Sequence, residues 1–183
     1  NRRMKSFEPT ITKQDIQKVT ELLESGNIGF GSNVKIFEDR FSEYSNKKYN
    51  IGLNSASSAA YCLFAYLYDK YGSCDVYTPS LGFTSVSWSA EKNGHHIHFI
   101  DVDENLLFDF DSYKKIRSKS LDKNRKVVLM PVLYGGVSNI SDFNKQVTDE
   151  IVVVDSAHCI EPTIESDYIF FSFHPIKPLT MSC

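Results

Sequence analysis

The chain has 183 residues, of which 42% are hydrophobic and 23% are charged, with a net charge of −3. This composition is that of a globular domain, and it excludes a disordered chain, a basic nucleic-acid-binding surface and a membrane-spanning segment. The four cysteines lack the spacing of a metal site or a disulfide framework, so we expect reduced thiols in a cytoplasmic protein. They are Cys62, Cys74, Cys159 and Cys183.

The first part of the chain predicts two amphipathic helices. Thr12 is a capping residue, with Asp15 three positions later, and apolar residues follow at helical spacing. The second helix carries Phe37 and Phe41 on one face. We interpret residues 1–48 as lead-in helices on a larger domain formed by residues 49–183.

From Tyr49 onward, short apolar runs alternate with helical patterns, and Asp111 is the predicted cap of one of these helices. Such alternation predicts an α/β fold, a three-layer sandwich with a mostly parallel sheet covered on both faces. The predicted strands are 49–53, 75–78, 96–100, 126–132, 151–154 and 168–171, and the predicted helices after the first strand begin near 57, 83, 111 and 138.

Ligands bind such sheets beyond the carboxyl ends of the strands. A hydroxyl-rich run, Ser55–Ser58, opens the first of these helices. Exposed N–H groups and the helix dipole make this start a candidate phosphate site, whereas the alternative is a simple N-cap.

Asp155 follows an apolar strand, where a carboxylate is costly to bury unless a cation pairs with it. A protonated pyridine nitrogen is such a cation; the alternative is an Asp that caps a helix near Ala157. His158 could bond a cofactor oxygen or a substrate, or be structural. Phe83 could stack on a flat ring or belong to the core.

Three further histidines, His95, His96 and His98, lie in a predicted strand, alternate between its faces and lack the carboxylate company of a good metal site. We therefore interpret them as structural, and we expect no metal site.

Lys177 lies between Pro175 and Pro178, shortly after a strand and Ser172. The prolines keep it out of the middle of a helix. A lysine held in a rigid turn beyond a buried strand is well placed to form a Schiff base with a carbonyl, and we predict that it carries pyridoxal phosphate (PLP).

Taken in order, these motifs resemble the DegT/StrS sugar aminotransferases, which are fold-type-I PLP enzymes, from about Pro9 to the end of the chain. The residues that carry the resemblance are Asn54-Ser-Ala-Ser-Ser-Ala-Ala60, Pro79-Ser-Leu-Gly-Phe83, Phe99-Ile-Asp-Val-Asp103, Val154-Asp-Ser-Ala-His158 and Phe171-Ser-Phe-His-Pro-Ile-Lys-Pro-Leu-Thr180.

The resemblance implies a role for each residue at the predicted rim. Lys177 would form the Schiff base and move protons, Asp155 would pair with the pyridine nitrogen, and His158 would lie beside the phenolic oxygen. The remaining residues would hold the phosphate or stack on the ring: Ala56, Ser57 and Ser172 for the phosphate, Phe83 for the ring.

The reaction implied is transfer of an amino group, commonly from glutamate, to a keto group of a nucleotide-linked deoxysugar, by a homodimer with shared active sites. One alternative is a PLP-dependent sugar dehydratase, which typically has His where Lys177 stands. The other is a non-catalytic fragment that only binds cofactor or a partner. We expect the sequence to stop before a small C-terminal domain, so that the native chain is about twice as long.

Overall fold

The structure is a computed structural model that describes residues 11–45, 47–120, 122–134, 140–160 and 165–178. Within these ranges, no helix has both the length and the apolar character needed to cross a membrane. The helices are α1 (Lys13–Glu24), α2 (Ser32–Ser45), α3 (Ala56–Tyr71), α4 (Thr84–Lys92), α5 (Phe110–Arg117) and α6 (Ile140–Gln146). The strands are β1 (Asp75–Pro79), β2 (His96–Ile100), β3 (Val127–Leu129), β4 (Ile151–Ser156) and β5 (Tyr168–Phe171).

The chain divides into two compact units, which are described separately. The sheet unit is Ser55–Ser172, and the N-terminal unit combines Asn1–Asn54 with Phe173–Cys183.

The five strands of the sheet unit form one sheet in the order β2-β1-β3-β4-β5, and every pair is parallel. In the central register, Tyr77 of β1 lies beside His98 on one side and Leu129 on the other. The predicted α/β fold with a parallel sheet is therefore confirmed. Because all strands run in the same direction, their carboxyl ends share one edge of the sheet.

Alternate side chains of the strands fill two separate layers of core, as the two-residue period of a strand requires. On one face, Val76 and Val128 pack in a cluster with Phe64 and Leu67 of α3. On the other face, Tyr77 packs in a cluster that includes side chains of α5 and α6. Both faces of the sheet are thus covered by helices, as predicted.

Several predicted elements differ from those in the structure. Residues 49–53 form no strand: Ile51 is 79% exposed, and the N–H of Gly52 bonds the side chain of Glu38 instead of another strand. The cap of α5 is Asp109 rather than Asp111, because the Asp109 carboxylate accepts the first N–H groups of the helix. Strand β3 ends at Leu129, and Pro131, which lacks an N–H, interrupts the run that was predicted to continue to 132.

The N-terminal unit is held together by aromatic side chains. Helix α1 has the predicted capping box between Thr12 and Asp15. In α2, Phe37 and Phe41 both receive the ring of Phe173 edge-on, with centroid distances of 5.3 and 5.4 Å. Edge-to-face pairs of this kind are favourable beyond the area that they bury. The segment after β5 is therefore fixed to α2 four residues before Lys177.

A buried charge cluster lies at the amino end of the sheet. The side chain of Asp75, the first residue of β1, is only 1% exposed. Its carboxylate lies 3.4 Å from Arg117, 3.3 Å from Arg125 and 3.2 Å from Nε2 of His98. The sheet thus brings the side chain of Asp75 next to His98, as a single carboxylate neighbour among the described residues. His95 is structural, as expected: its ring nitrogens contact the N–H of Cys74 and the C=O of Phe64.

We expect Asp75→Asn to lower the free energy of unfolding by about 3 kcal/mol, because it leaves two arginines facing a buried neutral group. Urea denaturation followed by circular dichroism measures this loss. The matched control is Asp39→Asn in α2, which breaks an exposed pair with Lys35 and should cost less than about 0.5 kcal/mol. Equal losses in the two variants would contradict the assignment of Asp75 as a stabilising centre.

Candidate functional site

The functional residues predicted in the sheet unit lie at the carboxyl edge of its sheet. They are contributed by the start of α3, the start of α4, the end of β4 and the residue after β5. This is the edge at which open parallel sheets bind ligands.

Helix α3 begins at Ala56 and offers backbone donors at its start. Its cap is Ser55, whose hydroxyl accepts the N–H of Ser58 at 3.1 Å. Among the described residues, no acceptor bonds the N–H groups of Ala56 and Ser57. The capping alternative thus describes Ser55 alone, and the two N–H groups at the positive end of a 16-residue helix remain for an anion.

The hydroxyl of Ser57 is not part of the cap, because it bonds the hydroxyl of Ser85 at 2.7 Å. Ser85 lies in the first turn of α4, so this bond joins the starts of two helices. The sequence analysis missed Ser85. The one indication in the sequence was that Ser85 lies in a polar run, two residues after Phe83.

Phe83 is the N-cap residue of α4, and it makes no side-chain capping bond. Its side chain is 68% exposed, so the alternative that it belongs to the core is wrong. An exposed aromatic ring at this edge offers a flat apolar surface to a planar ligand.

Asp155 lies within β4, which extends two residues further than predicted, and it is only 2% exposed. Its N–H donates to the C=O of Pro131, and its C=O accepts the N–H of Leu133, both at 3.0 Å. Oδ1 of its carboxylate accepts the N–H of Ala157 at 3.0 Å. A turn rather than a helix follows, so Asp155 shapes the chain locally without being a helix cap.

His158 is exposed, and its ring lies against the ring of Tyr134, with centroids 5.5 Å apart and planes 30° apart. The pKa of Tyr134 is raised, first by burial and then by the negative charge of Asp155. Tyr134 follows the end of β3 and was given no role in the sequence analysis. Its only signal there was its position after a buried strand.

Ser172 directly follows β5 and is the last residue of the sheet unit, whereas Lys177 belongs to the N-terminal unit. The N–H of Lys177 donates to the C=O of His174 at 2.8 Å, closing the turn that contains Pro175. A turn is therefore present at the predicted position. That Lys177 meets Asp155 in one pocket stays a prediction.

The groups at this edge of the sheet unit suit a flat ligand that carries both an anionic and a cationic group. The start of α3 supplies N–H groups and a hydroxyl for an anion, Asp155 supplies a buried negative charge, and Phe83 supplies an exposed ring. The described cysteines, Cys62, Cys74 and Cys159, are free thiols, as expected.

Known proteins resemble this chain over nearly its whole length. The spore coat polysaccharide biosynthesis protein SpsC of Bacillus subtilis is 32% identical over 93% of the chain. A UDP-4-amino-4,6-dideoxy-N-acetyl-beta-L-altrosamine transaminase of Campylobacter jejuni is 27% identical, also over 93%. The chain covers 45% of the first relative and 47% of the second, so it spans about half of their length.

A solved structure extends this likeness to the fold. Spr1654 of Streptococcus pneumoniae, assigned as a sugar aminotransferase, superimposes with a TM-score of 0.82 at 25% identity. The match covers 97% of this chain and 50% of that protein, which has been solved in PLP, PMP and apo forms. The predicted cofactor is therefore confirmed for this family and fold.

The sequence model of the DegT/DnrJ/EryC1/StrS aminotransferase family matches residues 9–182, which include every predicted site residue. The resemblance seen in the motifs is confirmed, and the chain belongs to the DegT/DnrJ/EryC1/StrS aminotransferase family.

Proposed function

We propose that this protein is a PLP-dependent aminotransferase that moves an amino group, from glutamate, to a keto group of a nucleotide-linked deoxysugar. The observation that carries the proposal is the carboxyl edge of the sheet unit. There, the buried carboxylate of Asp155 and the open start of α3 occur together in a chain of an aminotransferase family.

The residues present fit PLP. The N–H groups of Ala56 and Ser57 and the hydroxyls of Ser57 and Ser172 would hold its phosphate. Phe83 would cover one face of its ring. The bond between Ser57 and Ser85 supports this assignment, because it orients the Ser57 hydroxyl at the helix start where an anion is favoured.

Asp155 would pair with the protonated pyridine nitrogen. A carboxylate that is 2% exposed has lost most of its hydration, and an adjacent cation offsets that cost. When bound, PLP supplies an electron sink that stabilises negative charge on the substrate carbon next to the nitrogen. The fixed negative charge of Asp155 would keep the pyridine nitrogen protonated, as that chemistry requires.

Lys177 would first hold the cofactor through Nζ and later act as the general acid–base. In the second role, Nζ would take a proton from the substrate carbon that bears the amino group and return it to the cofactor's C4′ carbon, on the other side of the nitrogen. The turn closed by Lys177 N–H and His174 C=O supports this role, because a fixed backbone limits where Nζ can reach. His158 would bond the phenolic oxygen of the cofactor.

The relatives support the substrate class. The Campylobacter jejuni protein is a transaminase of a UDP-linked dideoxy sugar, and SpsC takes part in spore coat polysaccharide biosynthesis. We infer a cytoplasmic homodimer with shared active sites that serves surface polysaccharide or glycoside biosynthesis, with residues 49–183 as its cofactor-binding part.

The dehydratase alternative is disfavoured by Lys at position 177. Product analysis separates the two, because dehydration releases water and transfers no nitrogen.

We expect the full gene product, loaded with PLP, to show a visible absorbance band near about 420 nm. Treatment with borohydride should leave the cofactor covalently attached to a peptide that contains Lys177. Both Lys177→Ala and Lys177→Arg should lose this attachment, since neither side chain carries a primary amine. Absorbance spectroscopy and peptide mass spectrometry make the two measurements.

The control for this experiment is Lys92→Ala on the exposed end of α4, which should retain both the band and the attachment. Cofactor attached to a different lysine would refute the assignment of Lys177. A wild-type protein that shows no band at any PLP concentration would refute the proposed function.

We expect Asp155→Asn to keep the fold and to lower the rate of amino transfer by at least about 100-fold. Asn retains an oxygen for the N–H of Ala157 but has no negative charge for the pyridine nitrogen. Stopped-flow absorbance with glutamate measures the rate, and circular dichroism checks the fold. A rate within threefold of wild type would show that the charge of Asp155 is not used.

A further inference from the structure

We propose that Tyr134 is a positioning residue that holds the imidazole of His158 in the orientation in which it meets the cofactor. The inference rests on the proposed function, since it concerns the residue assigned to the phenolic oxygen of PLP. It adds to that function a residue outside the predicted set of contacts.

The two rings form a defined pair. Their centroids are 5.5 Å apart and their planes are tilted by 30°, a geometry within the range of offset aromatic pairs. Tyr134 is 37% exposed, so its side chain is partly covered. The raised pKa of the phenol agrees with this burial and with the closeness of the Asp155 charge. The neighbouring ring excludes the rotamers of the imidazole that would overlap it.

Both rings are mounted on the same backbone frame. Tyr134 directly follows Leu133, whose N–H donates to the C=O of Asp155. His158 lies in the turn after β4, at the start of which Oδ1 of Asp155 accepts the N–H of Ala157. The hydroxyl of Ser156 closes the turn by donating to the C=O of Cys159. These hydrogen bonds fix the turn that carries His158 relative to the carboxylate of Asp155. The ring of Tyr134 adds a contact with the imidazole itself.

A positioning role for the ring of Tyr134 and a catalytic role for its hydroxyl predict different effects of substitution. A positioning ring acts through its face, so phenylalanine should replace it, whereas a catalytic hydroxyl would be lost in the same variant. A ring that acts through His158 should also lose its effect when His158 is absent. Only the second behaviour distinguishes positioning from a purely structural contribution, because phenylalanine would preserve packing as well.

The test measures the dissociation constant for PLP in the full gene product by absorbance titration. Tyr134→Ala should weaken binding by three- to tenfold, and Tyr134→Phe should stay within twofold of wild type. In a His158→Ala background, Tyr134→Ala should have no further effect. Tyr71→Ala removes a tyrosine of similar exposure at the last residue of α3, the end of the helix opposite Ser57; it is the matched control and should bind PLP like the wild type.

A second measurement does not need the cofactor. In protein labelled with ¹³C-histidine, the ring protons of His158 should show a ring-current shift that persists in Tyr134→Phe and is lost in Tyr134→Ala. This arm also reports on the pair if the alanine variant is destabilised, because the phenylalanine variant keeps the native packing.

The outcomes separate the two proposals. Equal weakening in the Phe and Ala variants would overturn the positioning role in favour of the hydroxyl. Unchanged PLP binding in Tyr134→Ala, or full additivity with His158→Ala, would overturn it while the proposed function stands. Failure of the wild-type protein to bind PLP would overturn the proposed function, and with it the role of Tyr134 toward the cofactor.

Discussion

The candidate site depends on the backbone pairing of Asp155 with the segment after β3. Its N–H and C=O are both used in that pairing, at 3.0 Å each, and on the other side it lies beside Phe170 of β5. A residue paired on both sides cannot rotate away from the sheet. Its carboxylate is therefore kept at the carboxyl edge in spite of the cost of burial, and the turn with His158 takes its direction from it.

A second set of contacts fixes the residues proposed to bind an anion. The starts of α3 and α4 are joined through Ser57 and Ser85, and both helices pack on one face of the sheet through side chains such as Ala60 and Val86. The donors for an anion and the carboxylate for a cation are thus fixed by the core and not by loops. This preorganisation is what a cofactor with several charged groups requires.

The sequence predicted the sheet and most of the rim because these features have local signals. Buried strands appear as continuous apolar runs, and the residues after them can be read directly, as for Asp155 and Phe83. The prediction failed where the partner was distant. Residues 49–53 alternate like a strand, but no strand pairs with them in the described part of the chain. His98 is paired with Tyr77 and lies near the Asp75 carboxylate only because β1 and β2 are neighbours in the sheet.

The contacts of Ser85 and Tyr134 were also not predicted, because their partners are distant in the sequence. Each residue lies in a short polar or aromatic stretch after a strand, and nothing in the stretch indicates which residue it will touch. Ser85 is 28 positions from Ser57 along the chain, so only packing of α3 against α4 brings them together. Side-chain pairs of this kind depend on tertiary structure, and single-sequence patterns do not encode them.

The charge cluster at the amino end of the sheet has a consequence for the order of folding. Asp75 lies 42 positions from Arg117 and 50 from Arg125, so neither cation is a local neighbour. Burial of β1 before those segments arrive would leave a carboxylate desolvated and alone, which is strongly unfavourable. Docking of α5 and of the segment that leads into β3 should therefore accompany the burial of β1, so that the central strand pair forms late and in one cooperative step.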